Sequence, residues 1–196
     1  GTTPQALIAA RAAGKLKSGE LALVVSSKAG ATALERAKRA GFACETVDRA
    51  LLKTREAFEE KLFGVLERHK TDLIVLAGFM QILSKDFVSR FPDRIVNVHP
   101  SLIPSYCGKG FYGIKVHEAV LAAGERWTGA TVHMVNEVPD GGRILLQKRV
   151  GVQEGDTPQT LQRRVMEQAA WLLLPKAVEA LCAGIVNQDE KRQRYG

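Results

Sequence analysis

Apolar positions along the chain cluster in short runs, and these runs alternate with longer stretches that have the signals of helices. The apolar runs have the length of buried strands, and they lie at 21–25, 43–47, 73–76 and 94–99. The helical stretches run from Thr3 to Gly14, from Gly30 to Gly41 and from Thr54 to about Lys70. Threonine starts two of them and glycine ends two, as capping preferences predict. A chain that alternates in this way builds a parallel sheet with helices on both faces.

The second half of the chain follows a different pattern. Two predicted strands, 131–135 and 143–150, are separated by a short turn. A parallel crossover needs about a dozen residues, so these strands are expected to be antiparallel or offset neighbours. A long helical stretch then begins at Thr157, and Pro175 is expected to kink or break it. The predicted fold class is α/β, with a Rossmann-like, mostly parallel sheet, helices on both faces and an antiparallel C-terminal portion.

The 196 residues suffice for one domain with a sizeable core, and no repeat or linker divides them. We expect a single domain over 1–196, with a solvated, frayed basic tail from about residue 187. A helix that begins at residue 3 of an α/β protein normally follows a strand and a tight turn. A strand before Gly1 is therefore expected to be missing, and the N–H groups of Gly1, Thr2 and Thr3 would form an anion site. The alternative is that Gly1 is simply the first residue.

Composition and charge narrow the classes of partner. The chain is 45% hydrophobic, and no apolar run approaches the roughly 20 residues that a membrane span needs. A net charge of +7 favours anionic partners, but no basic stripe is interleaved with aromatics, so nucleic-acid binding is not expected. Cys44, Cys107 and Cys182 are widely spaced and odd in number, which predicts reduced thiols without a disulfide or metal site. With no visible secretory signal, these features indicate a cytoplasmic protein.

Two polar residues stand out at the end of the fourth predicted strand. Asn97 and His99 are two positions apart, so their side chains point to the same face. Ligands of open α/β sheets bind in the crevice beyond the carboxyl ends of the strands. The pair therefore indicates a functional site, and the competing interpretation is a hydrogen-bonded core Asn beside a structural His.

The pair suits attack on a carbonyl, since His can donate a proton and an Asn amide can stabilise an oxyanion. No Ser or Cys stands out as a nucleophile, because Ser101 and Ser105 have the surroundings of turn residues. A substrate that brings its own nucleophile fits better than covalent catalysis. Asp140, in a Pro-Asp-Gly-Gly turn, is the natural third partner, which would raise the pKa of the His and order a proton-carrying water. The alternative is that Asp140 is an ordinary turn residue.

Other residues have weaker functional signals. The glycine-rich segment 107–113 suits a phosphate contact or a mobile lid, with an ordinary surface loop as the alternative. His117 and His133 fall in a predicted helix and strand without a metal ligand at suitable spacing, and we interpret both as structural.

Three segments carry a family resemblance that covers nearly the whole chain. They are Leu76-Ala77-Gly78-Phe79-Met80, Asn97-Val98-His99-Pro100-Ser101-Leu102-Ile103-Pro104, and Asp140-Gly141-Gly142 with Ile144-Leu145-Leu146-Gln147 downstream. Together they resemble the phosphoribosylglycinamide formyltransferases, which are folate-dependent. The resemblance implies transfer of the formyl group of 10-formyltetrahydrofolate to the amine of glycinamide ribonucleotide in purine synthesis, by a monomer or homodimer without a metal.

The resemblance also implies roles for individual residues. Asn97, His99 and Asp140 match the catalytic residues of the family. The implied folate contacts are Arg55, Met80, Gln81, Ile82, Leu83, Asn97, Asn136, Glu137, Val138, Pro139 and Asp140. The implied substrate contacts are Gly1, Thr2, Thr3 and Ala170.

The chain departs from the family pattern at three places. Thr2 and Thr3 stand where Ser-Asn usually follows the glycine of the phosphate loop. Gln81 stands where the family usually has Arg in its folate-binding segment, which is 80–83 in this chain. Ala170 stands where the family has an acidic residue that contacts the ribose. Glu167 is not an obvious substitute, because it lies on another side of a helix of 3.6 residues per turn.

Three alternatives share part of these features. Methionyl-tRNA formyltransferase has an additional C-terminal domain for which this chain has no room. Formyltetrahydrofolate deformylase usually has an N-terminal regulatory domain. A non-catalytic nucleotide-binding module would account for the charge and the strand–helix pattern, but the chain lacks the full glycine fingerprint of dinucleotide sites.

Overall fold

Strands and helices alternate largely as predicted through residues 3–195, the part of the chain that the computed structural model describes, with one short helix that was not predicted between the third and fourth strands. The strands are β1 Val24–Ser26, β2 Cys44–Thr46, β3 Ile74–Leu76, β4 Ile95–His99, β5 Trp127–Met134 and β6 Ile144–Gly151. The helices are α1 Thr3–Ala12, α2 Thr32–Arg39, α3 Arg55–Arg68, α4 Lys85–Ser89, α5 Ile114–Ala122, α6 Pro158–Val165 and α7 Trp171–Tyr195. Gly1, Thr2 and the expected preceding strand lie outside the described residues.

The strands pair in two groups. β1 and β2 form a parallel two-stranded sheet, and the second sheet has the order β3-β4-β5-β6. In the second sheet β3 and β4 are parallel, whereas β4–β5 and β5–β6 are antiparallel. The predicted α/β class and the antiparallel C-terminal portion are therefore confirmed. Of the four strand pairings described, two are parallel and two are antiparallel.

β5 starts earlier than the sequence predicts, at Trp127 instead of residue 131. The early part contains Gly129, a residue that normally weakens a strand. Here glycine is required, since a Cβ at this position would lie 2.0 Å from the carbonyl oxygen of Lys148 on β6. The close approach of the two strands explains why a residue typical of turns lies inside the sheet.

The main core lies between the second sheet and the helices α1, α6 and α7. Val96 of β4, Val132 of β5 and Leu174 of α7 are fully buried members of one apolar cluster. A second group of apolar side chains, including Phe58 and Val65, packs between α3 and the first sheet. These two clusters hold the carboxyl ends of the parallel strands in place.

The last helical stretch contains the expected irregularity, but at a different position. A π-helical turn, Met166–Ala170, separates α6 from α7, and Pro175 lies inside α7. The helix is therefore interrupted before the proline rather than at it. Pro175 has no N–H to donate to the carbonyl of Trp171, the first residue after the wide turn. The backbone of the basic tail, expected to be frayed, continues α7 to Tyr195.

The absence of a membrane span stays a prediction, because one helix passes the test of length and composition for crossing a membrane. Within the described residues, the helical stretch Pro158–Gln188 is long and apolar enough to do so. Core helices of soluble proteins can have the same length and composition. Leu161, Val165 and Leu174 of this stretch are buried against the sheet in the main core.

Candidate active site

β4 presents Asn97 and His99 on one face at its carboxyl end, as strand alternation predicts. In the register of the sheet, Asn97 lies beside Leu76 of β3 and opposite His133 of β5. His99 lies opposite Thr131. Both polar residues therefore occupy the edge where the parallel strands β3 and β4 end, the usual ligand position in this class of sheet.

The carboxylate of Asp140 reaches the same place from the loop between β5 and β6. Its backbone is in the left-handed region, with φ of 54°, and its Oδ2 accepts a hydrogen bond of 2.9 Å from the N–H of Gly108. Oδ2 lies 3.5 Å from Nδ1 of His99. Gly142 permits this turn, since a Cβ there would lie 1.8 Å from the Met134 carbonyl oxygen. The structure therefore brings the three predicted catalytic residues together.

The hydrogen bonds of His99 determine which ring nitrogen faces the crevice. Nε2 lies 2.8 Å from the carbonyl oxygen of Tyr106, which can only accept, so Nε2 carries the proton in the neutral ring. Nδ1 is the nitrogen next to Asp140. Burial lowers the pKa of His99 below its ordinary value, although the Tyr106 carbonyl and the Asp140 charge act in the opposite direction. At neutral pH the ring therefore offers a proton acceptor at Nδ1.

Asp140 is held as an ion beside this acceptor. Burial raises the pKa of Asp140, but the hydrogen bonds from His133 and from the Gly108 N–H outweigh it and leave the pKa below its ordinary value. The negative charge favours a proton on Nδ1 of His99. The pair can accept a proton from an attacking amine and return it to a leaving group.

His133 is a member of the site that sequence reasoning missed. Its Nδ1 lies 2.8 Å from the Met134 carbonyl oxygen, and its Nε2 lies 3.3 Å from Nδ2 of Asn97 and 3.4 Å from Oδ1 of Asp140. When neutral, Nε2 accepts from the Asn97 amide; when protonated, it donates to Asp140. The available signal was the pairing of position 133 with 97, which depends on a register between β4 and β5 that the sequence does not state.

His117 lies in a helix, as predicted, and its structural role stays a prediction. Its side chain is fully buried on α5, and its two ring nitrogens have no hydrogen-bond partner among the described residues. Burial lowers its pKa to about 4, with a smaller effect from the charge of His99. Across residues 3–188, no group of three or more His, Cys, Asp or Glu side chains could hold a metal ion.

The glycine-rich segment 107–113 touches the site through one backbone group. The N–H of Gly108 donates to Asp140, and Phe111 packs edge-on against Tyr106 at 6.0 Å between ring centroids. Tyr106 in turn accepts the hydrogen bond of His99 through its carbonyl. The segment therefore supports His99 and Asp140 from outside the sheet, instead of being an isolated surface loop.

The two segments with implied folate contacts lie next to each other. Residues 80–83 follow β3, and residues 136–140 form the loop that carries Asp140. Lys85, just after the first segment, forms an ion pair of 3.3 Å with Glu137 of the second. Met80 and Val138 are 73% and 55% exposed, which is unusual for such apolar side chains. The arrangement leaves an apolar surface beside the polar site.

The other residues with implied folate or substrate contacts have no described contact with Asn97, His99 or Asp140. Arg55, the first residue of α3, is half exposed and its Nε lies 3.8 Å from Glu56. Thr3 and Ala170 are buried, with 6% and 1% exposure, and Ala170 packs in the main core. Glu167 is bonded to Arg163 at 3.1 Å, which agrees with the expectation that it does not replace an acidic residue at position 170.

Comparison with known proteins agrees with this site. The family model described as formyl transferase matches residues 1–178. The chain belongs to this family. Members of the family use formyl-folate as co-substrate.

Similar proteins share most of this chain. It is 39% identical over 168 residues to phosphoribosylglycinamide formyltransferase of Escherichia coli K12, covering 86% of this chain and 76% of that protein. It is 41% identical over 170 residues to the trifunctional purine biosynthetic protein adenosine-3 of Bos taurus, covering 87% of this chain and 16% of that protein. The chain thus spans 16% of the trifunctional relative's length. The crystal structure of glycinamide ribonucleotide transformylase 1 from Symbiobacterium toebii superposes with a TM-score of 0.86 at 36% identity, covering 93% of this chain and 83% of that one.

Proposed function

We propose that this chain transfers the formyl group of 10-formyltetrahydrofolate to the amine of glycinamide ribonucleotide, a step of de novo purine biosynthesis. The observation that carries the proposal is the placement of Asp140 3.5 Å from Nδ1 of His99, with Asn97 on the same face. The names of the relatives point to the same substrates. Both the chemistry of the site and the similarity therefore support one reaction.

In the proposed mechanism, the amine of the substrate attacks the formyl carbon, so that a new C–N bond forms and the carbonyl oxygen becomes an oxyanion. Asn97 donates a hydrogen bond to that oxygen, and His99 donates one through Nδ1 after this nitrogen has gained a proton beside Asp140. The amine then loses a proton through Asp140 and a water that it orders, and the folate nitrogen gains one as its bond to the formyl carbon breaks. Because the amine is the nucleophile, the enzyme forms no covalent intermediate.

Binding of the two substrates is assigned to two separate sets of residues. The folate contacts proposed are Arg55, Met80, Gln81, Ile82, Leu83, Asn97, Asn136, Glu137, Val138, Pro139 and Asp140. Substrate phosphate and ribose are assigned to Gly1, Thr2, Thr3 and the surroundings of Ala170. The absence of a carboxylate at position 170 predicts weaker binding of the ribose than an acidic residue would give.

The further features of the proposal follow from the same reaction. The chain acts on small molecules as a single cytoplasmic domain, monomeric or homodimeric, without a metal, a membrane or a nucleic acid. Its net charge of +7 agrees with substrates that carry phosphate and carboxylate groups.

An assay of formyl release with and without the amine substrate tests the proposal. The expected result is consumption of 10-formyltetrahydrofolate that requires glycinamide ribonucleotide and yields one formylated product per folate consumed. Release of free formate at the same rate without the amine would instead identify a deformylase. Absence of folate binding in calorimetry would favour a nucleotide-binding module.

A further inference from the structure

Arg49 lies at the ligand edge of the fold, although it is distant in sequence from the residues of the site. It follows β2 by three residues, and its N–H donates to the carbonyl of Ser27, just beyond β1, at 3.0 Å. Its side-chain Nε donates to Oε1 of Gln81 at 3.2 Å. Arg49 therefore joins the ends of β1 and β2 to the segment that follows β3.

The charge of this guanidinium is not balanced by a nearby carboxylate among the described residues. Other arginines do have such partners, as Arg164 has Asp156 and Arg68 has Glu45 at 3.0 Å. Arg49 instead donates to two neutral acceptors, Gln81 and the carbonyl of Leu52. A guanidinium has five N–H donors, so three are left for another acceptor. A partly buried cation with spare donors favours binding of an anion.

Exposed apolar side chains lie in the two segments that the hydrogen bond between Arg49 and Gln81 brings together. Leu51, Met80 and Ile82 are 79%, 73% and 51% exposed, and they flank Arg49 and Gln81 in sequence. Exposed apolar side chains in one patch indicate a binding surface. A ligand that fits has an apolar or aromatic segment ending in carboxylate groups. The tail of a folate, an aminobenzoyl group joined to glutamate, has this chemistry.

We propose that Arg49, oriented by Gln81, binds the glutamate carboxylates of the folate tail. This inference rests on the proposed function and adds a binding residue that the sequence did not indicate. Gln81 acts as a positioning residue in this arrangement, since its Oε1 fixes Nε and leaves the outer nitrogens of Arg49 for the ligand. Arg49 contributes to folate affinity and takes no part in formyl transfer itself.

Binding of two ligands to the whole chain, measured by calorimetry, tests this role of Arg49. One ligand is a folate with its glutamate tail, and the other is the same compound without the glutamate. Arg49→Ala should weaken binding of the first by about tenfold or more, as for the loss of a charged hydrogen bond, and leave the second unchanged. Arg39→Ala, which removes an exposed cation at the end of α2, is the matched control and should change neither.

Each other outcome contradicts the inference in a recognisable way. Equal weakening of both ligands by Arg49→Ala would mean a structural role, and no weakening of either would mean no contact. If the unmodified chain binds neither ligand, the proposed function fails together with this inference. The affinity of Arg49→Lys for the ligand with the glutamate tail should lie between those of the unmodified chain and of Arg49→Ala. Lysine keeps the charge, but it lacks the planar fork that can hold both Gln81 and a carboxylate.

Discussion

Nε2 of His133 lies 3.4 Å from Oδ1 of Asp140, so the proposed catalytic carboxylate is held from within the sheet as well as from the loop. The hydrogen bond from His133 is the largest of the effects that lower the pKa of Asp140. Because the carboxylate is the form that assists proton transfer, His133 extends the pH range of activity towards acid. This role makes His133 a positioning residue.

His133→Leu should therefore shift the acid limb of the kcat/KM profile to higher pH, since loss of the hydrogen bond raises the pKa of Asp140. Activity at neutral pH should fall by up to about 100-fold, as for a misplaced catalytic group. The measurement is the pH dependence of formyl transfer for both proteins. His117→Leu is the control, because His117 is buried without partners among the described residues and neutral above a pKa of about 4. An acid limb that stays in place in His133→Leu would rule out this role.

Glu59 anchors the end of the proposed folate strip, which is the segment 80–83 that follows β3. Glu59 is 6% exposed, and its carboxylate accepts hydrogen bonds from the backbone N–H of Ser84 at 2.7 Å and from the Ser84 hydroxyl. Glu59→Ala leaves the N–H of Ser84 without its partner, which should lower the free energy of unfolding by about 1–3 kcal/mol. The strip should also become less ordered.

Folate kinetics and urea unfolding together measure this effect. The KM for folate should rise in Glu59→Ala, while kcat changes less, because the proposed catalytic residues lie on β4 and the 136–140 loop. Glu60→Gln is the matched control, since Glu60 is exposed and pairs with Arg90 on the outer surface. Unchanged KM and unchanged stability in Glu59→Ala would show that the strip does not depend on this anchor.

Substituting Gly129 and Gly184 compares a crowded backbone position with an open one. A Cβ at Gly129 would lie 2.0 Å from the Lys148 carbonyl oxygen, whereas a Cβ at Gly184 in α7 would meet nothing within 4 Å. Gly129→Ala should force β5 and β6 apart and lower the unfolding free energy by about 2 kcal/mol or more. Gly184→Ala should raise it by about 1 kcal/mol, because alanine favours a helix. Chemical denaturation of both variants measures the difference, and equal effects would contradict the close approach.

Local patterns in the sequence were enough to predict the main alternation of strands and helices and the common face of Asn97 and His99. Alternation of side chains along a strand does not depend on the rest of the fold, so the sequence alone places Asn97 and His99 on one face. The antiparallel pairing of β5 and β6 followed from the shortness of their connection. Asp140 was predicted on its turn chemistry and on resemblance.

Features that depend on contacts between distant segments were not predictable. His133 enters the site because of the register between β4 and β5, and Arg49 because three strand ends meet. Gly129 lies inside β5, which the sequence prediction started only at residue 131, because its close neighbour Lys148 is distant in sequence. The helix interruption was placed at Pro175, whereas the π turn that precedes α7 has no comparable local signal.

The most direct test of the catalytic centre is the rate of formyl transfer to glycinamide ribonucleotide by His99→Ala, compared with the unmodified chain. We expect a loss in kcat of about 100-fold to 10,000-fold, because Nδ1 is the ring nitrogen that faces Asp140. Thermal unfolding of the variant should remain cooperative, which separates loss of chemistry from loss of fold. Full activity in folded His99→Ala would contradict the assignment of the catalytic centre.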